Sequence, residues 1–118
     1  MRLHDVPVLA CAADGPPVRT DGDALNLIAE ALGQQVDLVA IPVARLPAEF
    51  FALGTGLAGA ITQKFVNYRL RLAVVGDITG HDGSSAVRAF VAEANRGGQL
   101  WFVTDLAELE TRLARTAT

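Results

Sequence analysis

The segment Gly54-Thr55-Gly56-Leu57-Ala58-Gly59 spells G-x-G-x-x-G, and Asp77 follows roughly 20 residues on, the distance at which a dinucleotide site places its ribose-binding acid. That chemistry needs the first glycine directly after a strand, so that the tight turn seats a pyrophosphate on a helix N-terminus. Here the stretch 44–53, with Pro47 and the bulky Phe50-Phe51 pair, separates the expected strand end from Gly54. The spacing therefore argues against a nucleotide cofactor. The competing reading is structural: Gly56, Gly59 and Ala60 let a helix lie close to the sheet or to a second subunit, or the helix begins only near Thr55.

Two further clusters carry reactive side chains. Asp77, His81, Asp82, Ser84 and Ser85 crowd one loop, where an imidazole and two carboxylates suit a divalent metal, or His81 suits a base acting on a serine. The same residues are ordinary turn and cap chemistry, with Asp77 bonding to backbone. Gln63, Lys64, Asn67, Tyr68 and Arg69 form the densest polar group, and Lys64 and Tyr68 are an i, i+4 pair of the type used in reductases. Its structural reading is a helix end whose carbonyls are met by Lys64 and Arg69. Glu93, Asn95 and Arg96 end the following helix and are expected to meet the first polar end on one rim of the sheet. No catalytic set, metal site or cofactor is expected.

The elements that must position these residues follow from hydrophobic spacing. Residues 6–12 read as a strand ended by Asp14-Gly15-Pro16-Pro17, and Val18-Arg19-Thr20 as a short second strand. Thr20 or Asp21 then caps a helix with Leu25, Ile28, Ala29 and Leu32 on one stripe and Gly33 as its stop. A strand over 36–43 places Pro42 near its end. Leu53, Leu57, Ile61, Phe65 and Tyr68 mark the next helix, with Thr55 as its N-cap, and Leu70 to Ile78 a strand buried on both faces. Ser84 or Ser85 caps a helix through Val87, Phe90, Val91 and Ala94, ended by Asn95-Arg96-Gly97-Gly98, residues tolerant of left-handed geometry. Residues 100–103 form a last strand, and Asp105 caps a closing helix with Leu106, Leu109 and Leu113. The order β-β-α-β-α-β-α-β-α predicts an α/β fold: a mostly parallel or mixed sheet of four to five strands with three to four helices, joined by right-handed crossovers.

The 118 residues, 51% hydrophobic and 19% charged, suit one domain over 1–118 with a core large enough to need no disulfide. The net charge of −3 argues against nucleic acid or an anionic membrane as partner. Cys11 is the only cysteine, which excludes an internal disulfide. No apolar run reaches the roughly 18 residues of a membrane span, and a cytoplasmic location is expected. Residues 50–76 hold no acid but carry Lys64, Arg69 and Arg71, a stretch that suits an anion or acidic partner, or is only a solvated face.

Phe50-Phe51-x-Leu53-x-Thr55-Gly56-Leu57-Ala58-Gly59, Gln63-Lys64-Phe65-x-Asn67-Tyr68-Arg69, Leu72-Ala73-x-Val75-Gly76-Asp77 and Glu93-x-Asn95-Arg96-Gly97 together resemble the bacterial domain-of-unknown-function family 4180. The aromatic strand at Trp101-Phe102 and the Leu-rich terminal helix extend the resemblance over nearly the whole chain. The element order is in turn similar to that of anti-sigma-factor-antagonist (STAS-like) domains. That resemblance implies a non-catalytic binding or regulatory module, with a protein or small-molecule partner, and gives Thr55-Gly56 the place of a phosphorylatable residue at a helix N-terminus. Those regulators usually carry an Asp before that pair, where this chain has Ala52-Leu53-Gly54. The residues expected to bind a ligand or partner are Thr55, Gly56, Gln63, Lys64, Asn67, Tyr68, Asp77, His81, Asn95 and Arg96. The alternative is a small-molecule site or enzyme built on the loop from Asp77 to Ser85. The apolar, small-residue segment from Phe50 to Ala60 suggests a face that pairs two copies in a homodimer.

Overall fold

In the computed structural model, which describes residues 1–116, the chain opens with a hairpin. Strand β1 (Arg2–Leu3) runs antiparallel to β2 (Val6–Ala10). The two-residue turn puts both His4 (φ 48°) and Asp5 (φ 65°) at positive φ, the backbone of a hairpin turn whose twist matches the strands. Strands β3 (Leu38–Pro42), β4 (Arg71–Val75) and β5 (Leu100–Val103) then add in parallel, giving one mixed sheet in the order β1-β2-β3-β4-β5. The α/β class and strand number agree with the sequence reading.

Helices α1 (Asp21–Gly33), α2 (Ala48–Phe51), α3 (Leu57–Asn67) and α4 (Ser85–Arg96) connect the parallel strands, and α5 (Leu106–Thr116) follows β5. Strand residues Leu9, Val39, Ile41, Leu72, Val74, Leu100 and Phe102 share one core with buried residues of α1 to α4. The alternate residues Val8, Leu38, Ala40, Ala73, Trp101 and Val103 pack with Leu3 and with Leu109 and Leu113 of α5. Strands of consecutive order joined by crossovers of one hand place successive helices on the same face, so the second face depends on α5 alone. Burial on both faces explains why the parallel strands read as continuous apolar runs.

Several expectations need correction. Val18–Thr20 is not a strand: Val18 is buried, and its N–H donates to the Arg45 carbonyl at 2.8 Å. The additional strand is β1, ahead of the first expected one, and its two residues are too short to leave a period. Helix α1 ends at Gly33 as expected, but the left-handed residue that closes it is not that glycine. Gln34 is the C-cap, and Gln35 takes φ 57° while the N–H groups of Gln35 and Val36 return to the carbonyls of Leu32 and Ala31, a Schellman closure. The buried stripe is Ala24, Leu27, Ile28 and Ala31, leaving Ala29 exposed and Leu32 48% exposed. Five helices stand where three to four were expected. The additional one, α2, drives Phe50 and Phe51 into the core, which removes the large apolar groups from the face expected to pair two copies. The exit of α4 needs no left-handed residue, since its C-cap Gly97 has φ −90°.

Candidate functional site

Parallel strands give the sheet a carboxyl edge, after Ala10, Pro42, Val75 and Val103, and an opposite amino edge. Of the expected site residues, Thr55, Gly56, Asp77 and His81 belong to connections leaving the carboxyl edge. Gln63, Lys64, Asn67, Tyr68, Asn95 and Arg96 sit where α3 and α4 run back toward the amino edge. The fold divides them into two groups.

At the carboxyl edge, Gly56 and not Thr55 is the N-cap of α3. Its φ of 74° is a left-handed value that an L side chain reaches only at a cost of about 1–2 kcal/mol. Thr55 closes the preceding 3-10 turn. Its Oγ1 lies 2.8 Å from the carbonyls of both Glu49 and Ala52, to either of which it donates, and it accepts the first N–H of α3, from Leu57, at 3.2 Å. Both hydrogen-bonding capacities of the hydroxyl are used. Gly59 and Ala60 face outward, and a Cβ at Gly59 would meet nothing within 4 Å. Close approach to the sheet is therefore not why Gly59 is small. With the first glycine well beyond the end of β3, a pyrophosphate turn is absent here.

The loop after β4 is not a gathered catalytic set. Asp77 is exposed, and its Oδ1 accepts the Thr79 N–H at 2.9 Å, a bond that holds its carboxyl below the usual carboxylate range. The His81 ring turns away and stacks on Phe51, centroids 4.2 Å apart and planes 13° from parallel. Ser84 is the N-cap of α4, accepting the Val87 N–H at 3.1 Å. A hollow of about 230 Å³ lies beside Asp77 and is floored by Val91 and Phe102, but its lining does not include His81, Asp82, Ser84 or Ser85. Among the described residues no group of three or more His, Cys, Asp or Glu side chains is placed to hold a metal ion.

The other group is mostly tied within its own elements. Gln63 donates to Asn67 at 2.9 Å, and Arg96 pairs with Glu93, so the two polar helix ends bond internally instead of to each other. The carbonyls at the end of α3 are met by backbone, not by Lys64 or Arg69 side chains: the N–H groups of Arg69 (φ 59°) and Leu70 return to Val66 and Phe65. Tyr68 is the C-cap, with its side chain largely exposed. Asn95 is structural, its Oδ1 accepting the Phe102 N–H at 2.8 Å and its carbonyl accepting from the Arg112 guanidinium. Between α3 and α4 a cleft of about 330 Å³ is floored by Leu100 and Phe90 and walled by Gly59, Gln63, Ala94 and Gly98. Of the ten expected residues only Gln63 lines it.

The sequence reading missed Arg45. It follows β3 in a 3-10 turn and is 8% exposed, the one charged side chain in the buried class among the described residues. A cation set among Val43, Ala44 and Leu46 directly after an apolar strand was the available signal.

A family model matches residues 3–113. The chain belongs to the family described as a domain of unknown function (DUF4180). The match takes in strands β2 to β5 and every candidate residue of this DUF4180 domain. No curated protein and no solved structure matches it. No helix among the described residues is long and apolar enough to cross a membrane.

Proposed function

We propose that this DUF4180 domain is a non-catalytic binding or regulatory module of the bacterial cytoplasm, of the kind its resemblance to anti-sigma-factor antagonists implies, and that it docks a protein partner along α3 and the cleft beside it. The observation that carries this reading is the open cleft between α3 and α4. The helix that begins at the Thr55-Gly56 turn presents on that side small side chains over an apolar floor, a shape that accepts an inserted apolar group. Support also comes from the sequential strand order with α1 to α4 on one face, and from the dispersal of the acid, imidazole and hydroxyl groups into turns, caps and stacking contacts.

Gly59→Arg tests the reading without threatening the fold. A Cβ there meets nothing within 4 Å, arginine is the better helix former by up to about 1 kcal/mol, and its side chain would occupy the cleft. Affinity capture from the native host should recover a defined partner with the wild-type chain and lose it with Gly59→Arg, while the thermal midpoint holds or rises. An unchanged set of captured proteins, or turnover of a small molecule by the wild-type chain in an activity screen, would reject the docking role.

A further inference from the structure

We propose that the hollow beside Arg45 binds a small zwitterion of the α-amino-acid kind, with its carboxylate on the Arg45 guanidinium and its ammonium on Glu30 and Asp23. This site shares no lining residue with the proposed docking cleft and does not depend on that reading. The guanidinium is built into the protein by the loop around it. Nε donates to the Pro16 carbonyl at 2.9 Å and Nη1 to the Ala12 carbonyl at 3.3 Å. Gly15 lies so close that a Cβ there would come within 2.5 Å of Cζ, so the loop closes over the cation only because that position is glycine.

Burying a cation is costly unless a carboxylate neutralises it, yet no ion pair involves Arg45 among the described residues. Two carbonyls use two of the five N–H donors of a guanidinium. The Nη2 end has no hydrogen-bond partner in the protein, and no fully buried side-chain nitrogen or oxygen lacks one among the described residues. Nη2 is therefore reached from outside, through the hollow of about 200 Å³ that Arg45 lines. This volume lies below the roughly 300–1,000 Å³ of sites for drug-sized ligands, which points to a molecule the size of a small amino acid.

The opposite wall sets the second charge. Asp23, Asn26 and Glu30 project from one side of α1 into the same lining, with Leu27 and Pro17 as its apolar part. Asp23 uses Oδ2 to receive the N–H groups of Arg19 and Thr20, and these bonds, that of Arg19 foremost, hold its carboxyl below the usual range. The residue still lines the hollow, on the same helix face as Glu30. A simple anion entering here would meet Asp23 and Glu30, and a simple cation would meet Arg45. A zwitterion meets a complementary charge on both walls, and a guanidinium is the group best shaped to grip a carboxylate in two bonds.

The test is an NMR titration of the intact chain, following the Arg45 Nε–H and the amides of Val18 and Asn26, with glycine, L-alanine and L-proline as ligands and with acetate and methylammonium as half-ligands. Saturable shifts with at least one amino acid are expected, with each half-ligand binding about tenfold or more weakly, the loss of one charged contact. Glu30→Gln, at an exposed helical position, should weaken amino-acid binding about tenfold with the fold intact, whereas Arg45→Lys should abolish it. If Arg45→Lys fails to fold, Glu30→Gln decides alone. Acetate binding as tightly as the amino acids, wild-type affinity in Glu30→Gln, or no saturable shift with any of the three would each overturn the proposal.

Discussion

The polar side chains around the end of α4 and those at the carboxyl edge are used in opposite ways. Near the end of α4, apart from the exposed Glu93–Arg96 pair within the helix, they tie separate elements together. Asn95 accepts a strand N–H from Phe102, the Trp101 Nε1–H donates to the Gly97 carbonyl at 2.7 Å, and Arg112 of α5 donates to the Asn95 carbonyl while lying 4.5 Å from the Trp101 ring. At the carboxyl edge Thr20, Asp77, Ser84 and Asp105 each bond two or three residues along their own turn. The exceptions there are the Arg45 clasp, reaching 29 and 33 residues back, and His81, whose ring stacks on Phe51 of α2. The difference separates a region that holds the sheet closed from one whose loops change without cost to the sheet, which is where variable binding surfaces are found.

Breaking an inter-element tie should have the largest effect. Strand β5 is an edge of the sheet, and the Asn95 side chain covers its outward Phe102 N–H, a means of blunting an edge against pairing with another chain. Asn95→Ala leaves that donor without a partner, at a cost of about 1–3 kcal/mol, reduced by up to about 0.7 kcal/mol because alanine is the better helix former. Asn95→Asp keeps the acceptor. Chemical denaturation should show a lower midpoint for Asn95→Ala, with Asn95→Asp between it and the wild type. Equal midpoints for Asn95→Ala and the wild type would show that this end of α4 is no more of a tie than the loops opposite.

Much of this contrast was legible in the sequence only as element type, not as partnership. The strands at 36–43 and 100–103 and the caps Ser84 and Asp105 could be read because apolar runs and cap residues are local signals. The Schellman closures at Gln35 and Arg69 could not, since glutamine and arginine at left-handed positions carry none of the usual glycine signal. Helix α2 escaped because four residues complete barely one turn and leave no stripe. Asn95 looked like a helix terminator with binding potential, while its structural role depends on a strand N–H seven residues later. Arg45 depends on carbonyls about thirty residues away. A polar residue whose partner lies in another element is either mistaken for a candidate site, as Asn95 was, or missed, as Arg45 was, because local pattern does not show the partner.

Thr55 sharpens the comparison from the other side. Its hydroxyl joins α2 to the start of α3 within one short segment, so Thr55→Ala should cost about 0.5–1.5 kcal/mol, the worth of a typical hydrogen bond, and Thr55→Ser should restore most of it. Phosphorylation would replace the hydroxyl proton that now points to the Glu49 and Ala52 carbonyls with an anion repelled by both. Mass spectrometry of the chain from its native host should therefore show residue 55 unmodified. A stoichiometric phosphate there would mean that this turn opens in the cell, and that its local bonding conceals a switch.

The smallest effect belongs to Asp77. Its carboxylate accepts the Thr79 N–H in a bond confined to one turn, and this lowers its pKa from the ordinary carboxylate value. A folded-state pKa below the unfolded one means that the folded state holds the proton less tightly. The stabilisation is thus present above the unfolded value of about 3.9 and disappears as pH falls through the folded value. Asp77→Ala should lower the thermal midpoint slightly at neutral pH, and the difference from wild type should shrink toward zero as the solution is acidified below the carboxylate range. A difference that persisted at low pH could not come from the ionised carboxylate. It would instead place Asp77 in a contact that ties the loop after β4 to another element, and the two regions would then differ less than their hydrogen bonds imply.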